Sequence, residues 1–220
     1  MNALEIATRN QDELNEIITK NWKTKGLRFD RALRQEAAEA MDSLPWKWWK
    51  KGDYDIENLR VEGIDMLHFS FSMLVEMQYR QYSYLENRAV EVIEEFSNSS
   101  TLPKDAYANL LESQIDKIVK STFVEPRDPV EVTIEIFKFI GMLGMSYEDS
   151  IKLFLSKRAL NEFRTLNKYK EGGYIKVWDG KEDNVYMQDI IKTMKVSDNF
   201  VDQVFDKLSS KYEEVKKNAK

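Results

Sequence analysis

Two acidic pairs stand out among the residues able to do chemistry: Glu36-x-x-Glu39 and, after a loop, Glu62-x-x-Asp65. Residues three apart share a helix face, with ~5–6 Å between Cβ atoms, so each pair sends two carboxylates the same way. Pro45 and Lys51-Gly52 lie between the pairs and let the chain reverse, laying the two helices side by side with four carboxylates at one point. Like charges ~5 Å apart at an effective dielectric of ~20 repel by roughly 3 kcal/mol, which favours a cation in the gap. A donor set of oxygens, without histidine or thiolate, selects Mg²⁺ or Mn²⁺ over zinc. The same spacing also belongs to the solvated face of an acidic helix.

Two further stretches carry chemical potential. Trp46, Trp48 and Trp49, interleaved with Lys47 and Lys50 in Ser43–Lys50, offer a stacking platform for a base with charge for phosphate, or the filling of a helix–helix corner. From Lys157 through Asn161-x-x-Arg164 to Asn184, a basic series that includes Lys170, Lys176 and Lys181 surrounds a glycine-containing loop. Alone it reads as a solvated run. Opposite an acidic metal face it supplies the cations that a polyphosphate needs.

The rest of the chain must position these groups, and composition limits how. Of 220 residues, 42% are hydrophobic and 32% charged, enough apolar material for a core and too much for a disordered polyelectrolyte. The formal charge of -5 argues against a general nucleic-acid coat. The absence of cysteine removes disulfides, thiolate metal sites and cysteine nucleophiles, and the single histidine, His68, excludes a two-histidine metal site. Only 8 glycines and 4 prolines point to long helices. The uncharged run Met66–Val75 is short of the ~20 residues that span a bilayer, so no membrane partner is expected. Met1-Asn-Ala-Leu-Glu5 lacks the basic-then-apolar order of a signal peptide, and the expected location is the cytoplasm.

Apolar periodicity predicts an all-α multi-helix bundle. Leu14, Ile17 and Ile18 mark a first helix, and Ala32–Met41 a second beginning near Asp30. Ile64, Leu67, Phe71 and Leu74 mark a long third helix from about Asn58 to Phe96. The 97–103 stretch breaks it, either as a subdomain boundary or, more simply, as a turn within one domain covering 1–220. Helices are expected from Lys104 to Val119, from Asp128-Pro129, from Ser146 to Leu166, and from Ser197 or Asp198 to the lysine-rich end. One non-helical loop is expected near 169–180, turning at Asp179-Gly180.

Glu36-x-x-Glu39…Glu62-x-x-Asp65-x-x-His68-Phe69, with Pro45-Trp46-Lys47 between, resembles the dimeric all-α dUTPases of the all-α NTP pyrophosphohydrolase superfamily. The similarity continues at Gln11-x-x-Leu14-Asn15, Asn161-x-x-Arg164, Tyr169-Lys170-Glu171-Gly172, Tyr174-Ile175-Lys176 and Gly180-Lys-Glu-Asp-Asn184. The acid motif is shared with dCTPase-like and MazG-like relatives, whereas the Pro-Trp-Lys and Gly-Lys-Glu-Asp-Asn segments are more particular to dUTPases. The resemblance implies Mg²⁺-dependent hydrolysis of dUTP to dUMP and pyrophosphate by a homodimer, with dUDP open as a second substrate. It implies that Glu36, Glu39, Glu62 and Asp65 bind the metal, with Glu36, then Glu39, as candidate base. Gln11, Asn15, Trp46 and His68 would line the uracil and deoxyribose pocket, although His68 also reads as a core residue on an apolar helix face. Lys47, Lys157, Asn161, Arg164, Tyr169, Lys176 and Asn184 would hold phosphates and sugar. Two positions depart from the family pattern: Gly63 stands where a bulkier apolar residue is usual, and Lys168 where many relatives carry glycine. The alternatives are a broader dNTP pyrophosphatase and a non-catalytic helical interaction protein.

Overall fold

A computed structural model describes residues 2–218, and four of its helix starts are set by side chains that satisfy the first free amides. Asn2 caps α1 (Ala3–Ile18) by accepting from the Glu5 N–H at 2.8 Å. Asp55 caps α3 (Ile56–Glu76), Asp128 caps α6 (Pro129–Met142), and Ser146 caps α7 (Tyr147–Leu166). The other helices are α2 (Phe29–Asp42), α4 (Tyr82–Phe96), α5 (Lys104–Ser121), α8 (Asp183–Ile191) and α9 (Phe200–Asn218). Among the described residues, the only strands are β1 (Val177–Trp178) and β2 (Lys181–Glu182), paired antiparallel. Asp179 and Gly180 join them with φ of 47° and 82°, the left-handed pair that a tight two-residue hairpin requires. The fold is an all-α bundle, as the periodicity predicts.

The expected helix over 58–96 is in fact two. It stops at Glu76, where Gln78 takes a left-handed φ of 56°. The Tyr79 N–H then reaches the Leu74 carbonyl at 3.0 Å and the Gln78 N–H the Val75 carbonyl at 3.0 Å, a Schellman ending made without glycine. The same device ends α7. Lys168 has φ 62°, and the Tyr169 N–H bonds the Arg164 carbonyl at 3.0 Å. The position where relatives carry glycine is thus a left-handed helix cap here too, adopted by lysine. The helix α8 was not foreseen, and α9 begins at Phe200 rather than at Ser197 or Asp198.

Helices α3 and α6 form the centre, α3 packing on α1, α2, α6 and α7, and α6 on α3, α4 and α5. Ile64, Leu67, Phe71 and Leu74 are all fully buried, as their spacing requires, whereas of the α1 stripe only Leu14 is. None of Trp46, Trp48 and Trp49 fills a helix corner. Trp48 is 89% exposed, and the Trp49 ring meets those of Trp46 and Trp48 edge-to-face.

The close helix approach occurs at Gly141, not at Gly63. A Cβ on Gly141 would sit 2.8 Å from the Ile93 backbone on α4, whereas one on Gly63 would meet only Phe139 and Ile140 side chains at 3.4–3.5 Å. Gly141→Ala is therefore predicted to destabilise the fold by ~2 kcal/mol or more, because backbone must move. Gly63→Ala should be neutral or stabilising by up to ~1 kcal/mol through helix propensity. Denaturant midpoints check both, and equal responses would contradict the assignment.

Candidate active site

The packing of α2 against α3 brings Glu36, Glu62 and Asp65 together, each offering a carboxylate oxygen within 4.8 Å of the others. Glu39, one turn along α2, lies at the exposed edge of the group and accepts from Gln35 at 3.2 Å. Among the described residues, the one cation paired with any member is the buried Lys157 on α7, 2.8 Å from Asp65. Burial, then the fields of Asp65, Glu39 and Glu62, pushes the Glu36 carboxyl up to about 8. Burial, then Asp65, pushes Glu62 up to about 7, with Lys157 opposing. The site relieves its crowded charge by holding protons.

These carboxylates form one face of a cleft of about 790 Å³. Thirteen of the fifteen residues singled out in the sequence line it: Glu36, Glu39, Glu62, Asp65, Gln11, Asn15, His68, Lys157, Asn161, Arg164, Tyr169, Lys176 and Asn184. Trp46 and Lys47 do not. They lie on the segment between α2 and α3, where Lys47 pairs with Asp42 at 2.6 Å and sits over the Trp46 ring.

At the polar end of the cleft, Gln11 and Asn15 share α1 while His68 and Ser72 share α3, in both cases four residues apart. The Gln11 amide nitrogen donates to Asn15 Oδ1 at 2.8 Å and to Ser72 Oγ at 3.2 Å, and Asn15 Nδ2 donates to Ser72 Oγ at 2.9 Å. Ser72 donates onward to the His68 carbonyl at 2.9 Å. Gln11 Oε1 therefore faces His68 Nδ1 at 2.6 Å, so Nδ1 carries the proton and Nε2 its lone pair. His68 Nε2 is buried with no partner among the described residues, and the ring stacks on Phe154 at 4.1 Å. Burial holds the imidazole down at about 3, so it is neutral. His68 is thus a buried residue of α3 that also lines the cleft.

The opposite wall is basic and pre-paired. Arg164 is forked onto the fully buried Asp183 through Nε at 2.8 Å and Nη2 at 2.6 Å. Asp183 also accepts from the Tyr174 hydroxyl at 2.8 Å, Lys176 pairs with Glu182 at 3.0 Å, and Lys157 donates to Asn184 at 3.3 Å. Sequence reasoning missed Asp183 and Ser72. The first stood within the quoted Gly180–Asn184 run, and the second four residues after His68, with nothing else to mark them.

Together these features define an all-α enzyme whose cleft combines clustered carboxylates with paired lysine and arginine side chains. A family model described as dUTPase matches residues 3–169, most of the chain, and the chain belongs to this family; its activity is dUTP hydrolysis. No individual curated protein matches the sequence. Enzymes of the family generally use a divalent metal, and the Glu36–Glu62–Asp65 group fits one. It offers only hard oxygen donors, and two of its members hold protons more tightly than a free carboxylate does.

Stability should report this. A carboxyl whose folded pKa is raised stabilises the fold fully below its ordinary value near 4.5, and that contribution is lost as pH rises through about 7 to 8. The metal-free protein is predicted to melt lower at about pH 8.5 than at about pH 5.5, and a divalent cation should raise the melting temperature more at the higher pH. Calorimetry with and without chelator checks this. A cation effect independent of pH would contradict the site.

Proposed function

We propose that this enzyme hydrolyses dUTP to dUMP and pyrophosphate with Mg²⁺, which Mn²⁺ can replace, keeping dUTP out of the nucleotide pool and supplying dUMP for thymidylate synthesis. The observation that carries this reading is the single cleft in which the carboxylate cluster faces Lys157, Arg164 and Lys176 beside a polar, partly unsatisfied pocket. We read the working form as a cytoplasmic homodimer; among the described residues no helix is long and apolar enough to cross a membrane.

The metal ion, held by Glu36, Glu39, Glu62 and Asp65, would neutralise triphosphate charge and acidify the attacking water. Glu36 takes the proton of that water as it attacks phosphorus, and Glu39 is the next candidate. Lys157, Asn161, Arg164, Tyr169, Lys176 and Asn184 hold the phosphates and sugar. Arg164 keeps Nη1 free for an anion while Asp183 fixes the plane of its guanidinium. Trp46 and Lys47 have no part in this reading, because they lie outside the cleft.

Base selection follows from which polar atoms remain. Gln11 spends both amide protons on Asn15 and Ser72, so the groups left to the substrate are the second Asn15 N–H and the His68 Nε2 lone pair. Uracil presents a carbonyl acceptor beside its N3–H donor, whereas cytosine has no proton at N3 and, in the same pose, would leave Nε2 unpaired. An unpaired buried polar group costs ~1–3 kcal/mol.

Two measurements test the proposal. Pyrophosphate release from dUTP, dCTP, dTTP and dUDP, with Mg²⁺ and then with EDTA, should show metal-dependent turnover favouring dUTP over dCTP and dTTP. Undiminished turnover after chelation would remove the metal from the reaction, and comparable turnover of all the triphosphates would make this a broad pyrophosphatase. His68→Phe, which keeps the stack on Phe154 but loses the acceptor, should reduce the dUTP-over-dCTP ratio of kcat/KM at least ~tenfold. An unchanged ratio would place base selection elsewhere.

A further inference from the structure

The family match stops at Tyr169, yet the basic wall of the cleft is held in place by residues beyond it. Asp183, the anchor of Arg164, opens α8 directly after the hairpin. That segment in turn rests on α9, where the buried Tyr212 meets it. Its hydroxyl accepts from the Ile175 N–H at 2.9 Å, and its ring stacks on Tyr174 at 5.0 Å with 29° between planes. Tyr212 also packs against Phe163 and Trp178, at 5.4 and 5.5 Å. The neighbouring Lys211 closes the hairpin from the same helix, 2.7 Å from Asp179.

Two short paths therefore lead from α9 into the cleft. One runs from the Tyr212 ring to Tyr174, whose hydroxyl donates to Asp183 at 2.8 Å, and from Asp183 through its two-point fork to Arg164. The other runs from the Tyr212 hydroxyl to the Ile175 backbone, one residue before Lys176. A fork fixes a guanidinium only while its carboxylate is itself fixed, and Asp183 takes its remaining support from Tyr174 and the Asn184 N–H at 2.8 Å. Displacements on the order of 1 Å in positioning groups are enough to weaken a reacting complex by ~100-fold.

We propose that Tyr212 is a positioning residue for the substrate's phosphates, acting through Tyr174 and Asp183 on Arg164 and through Ile175 on Lys176. The proposal rests on the reading of this wall as the phosphate-binding side of the cleft. It gives α9, which lies outside the family match, a part in substrate binding rather than in packing alone.

The test is steady-state dUTP hydrolysis by the full chain carrying Tyr212→Ala, Tyr212→Phe, Tyr174→Phe, Arg164→Ala and the Tyr212→Ala/Arg164→Ala double change, each with a melting temperature. Tyr212→Ala should raise KM for dUTP at least ~fivefold with kcat changed less than ~twofold, and Tyr212→Phe, which keeps the stack, should recover most of the loss. Tyr174→Phe removes only the hydroxyl donated to Asp183 and leaves the packing intact. It should raise KM at least ~threefold, so the proposal stays testable if Tyr212→Ala fails to fold. In the Arg164→Ala background, Tyr212→Ala should raise KM by less than it does in the wild-type background, because the path through Asp183 has lost its contact and only the path to Lys176 remains. A lower melting temperature with wild-type KM in Tyr212→Ala and Tyr174→Phe would reduce α9 to packing and overturn the proposal. So would fully multiplicative effects in the double variant. Wild-type kcat/KM in Arg164→Ala would instead remove the phosphate reading of the wall, and the proposal with it.

Discussion

Electrostatic repulsion among carboxylates on α2 and α3 is the constraint around which the cleft is organised. Packing these helices buries a stable apolar seam, and the same packing brings Glu36, Glu62 and Asp65 to within 4.8 Å of one another. At such separations each ionised pair repels by roughly 3 kcal/mol at an effective dielectric of ~20, and one lysine on Asp65 does not balance that. The protein answers with protons, shifting Glu36 and Glu62 toward neutrality, and thereby keeps a place for a divalent ion to displace them.

The rest of the cleft is built from the opposite strategy. Away from the acids, many of the polar groups are already engaged. Gln11, Asn15 and Ser72 satisfy one another, Arg164 is forked on Asp183, and Lys176 is paired with Glu182. Such groups need little reorganisation when a ligand arrives, and those left open, His68 Nε2 among them, become the ones that discriminate. One face is held short of cations, while the other faces are satisfied and fixed.

Much of this was legible in the sequence, because local rules dominated there. Asp128-Pro129 and Ser146 announced their helices through capping chemistry, Asp179-Gly180 announced the hairpin, and the three-residue spacing of the acids put them on shared faces. What escaped depends on tertiary context. The break at Gln78 uses a left-handed residue other than glycine, so no punctuation marks it. Whether Trp46, Trp48 and Trp49 are buried is decided by what packs on them, and all three stay exposed, Trp46 least. Asp183 matters because a distant arginine reaches it, and no spacing rule connects positions 19 apart.

Replacing Glu62 by glutamine tests the organising constraint most directly, since it preserves side-chain volume while removing one of the mutually repelling charges. The comparison is of Mg²⁺-dependent dUTP turnover and of the metal-free melting temperature in wild type and Glu62→Gln. Turnover is predicted to fall at least ~100-fold while the metal-free protein melts at the same temperature or higher at about pH 8, because a repulsive pair has been relieved. Wild-type turnover, or a collapse of folding, would contradict the account.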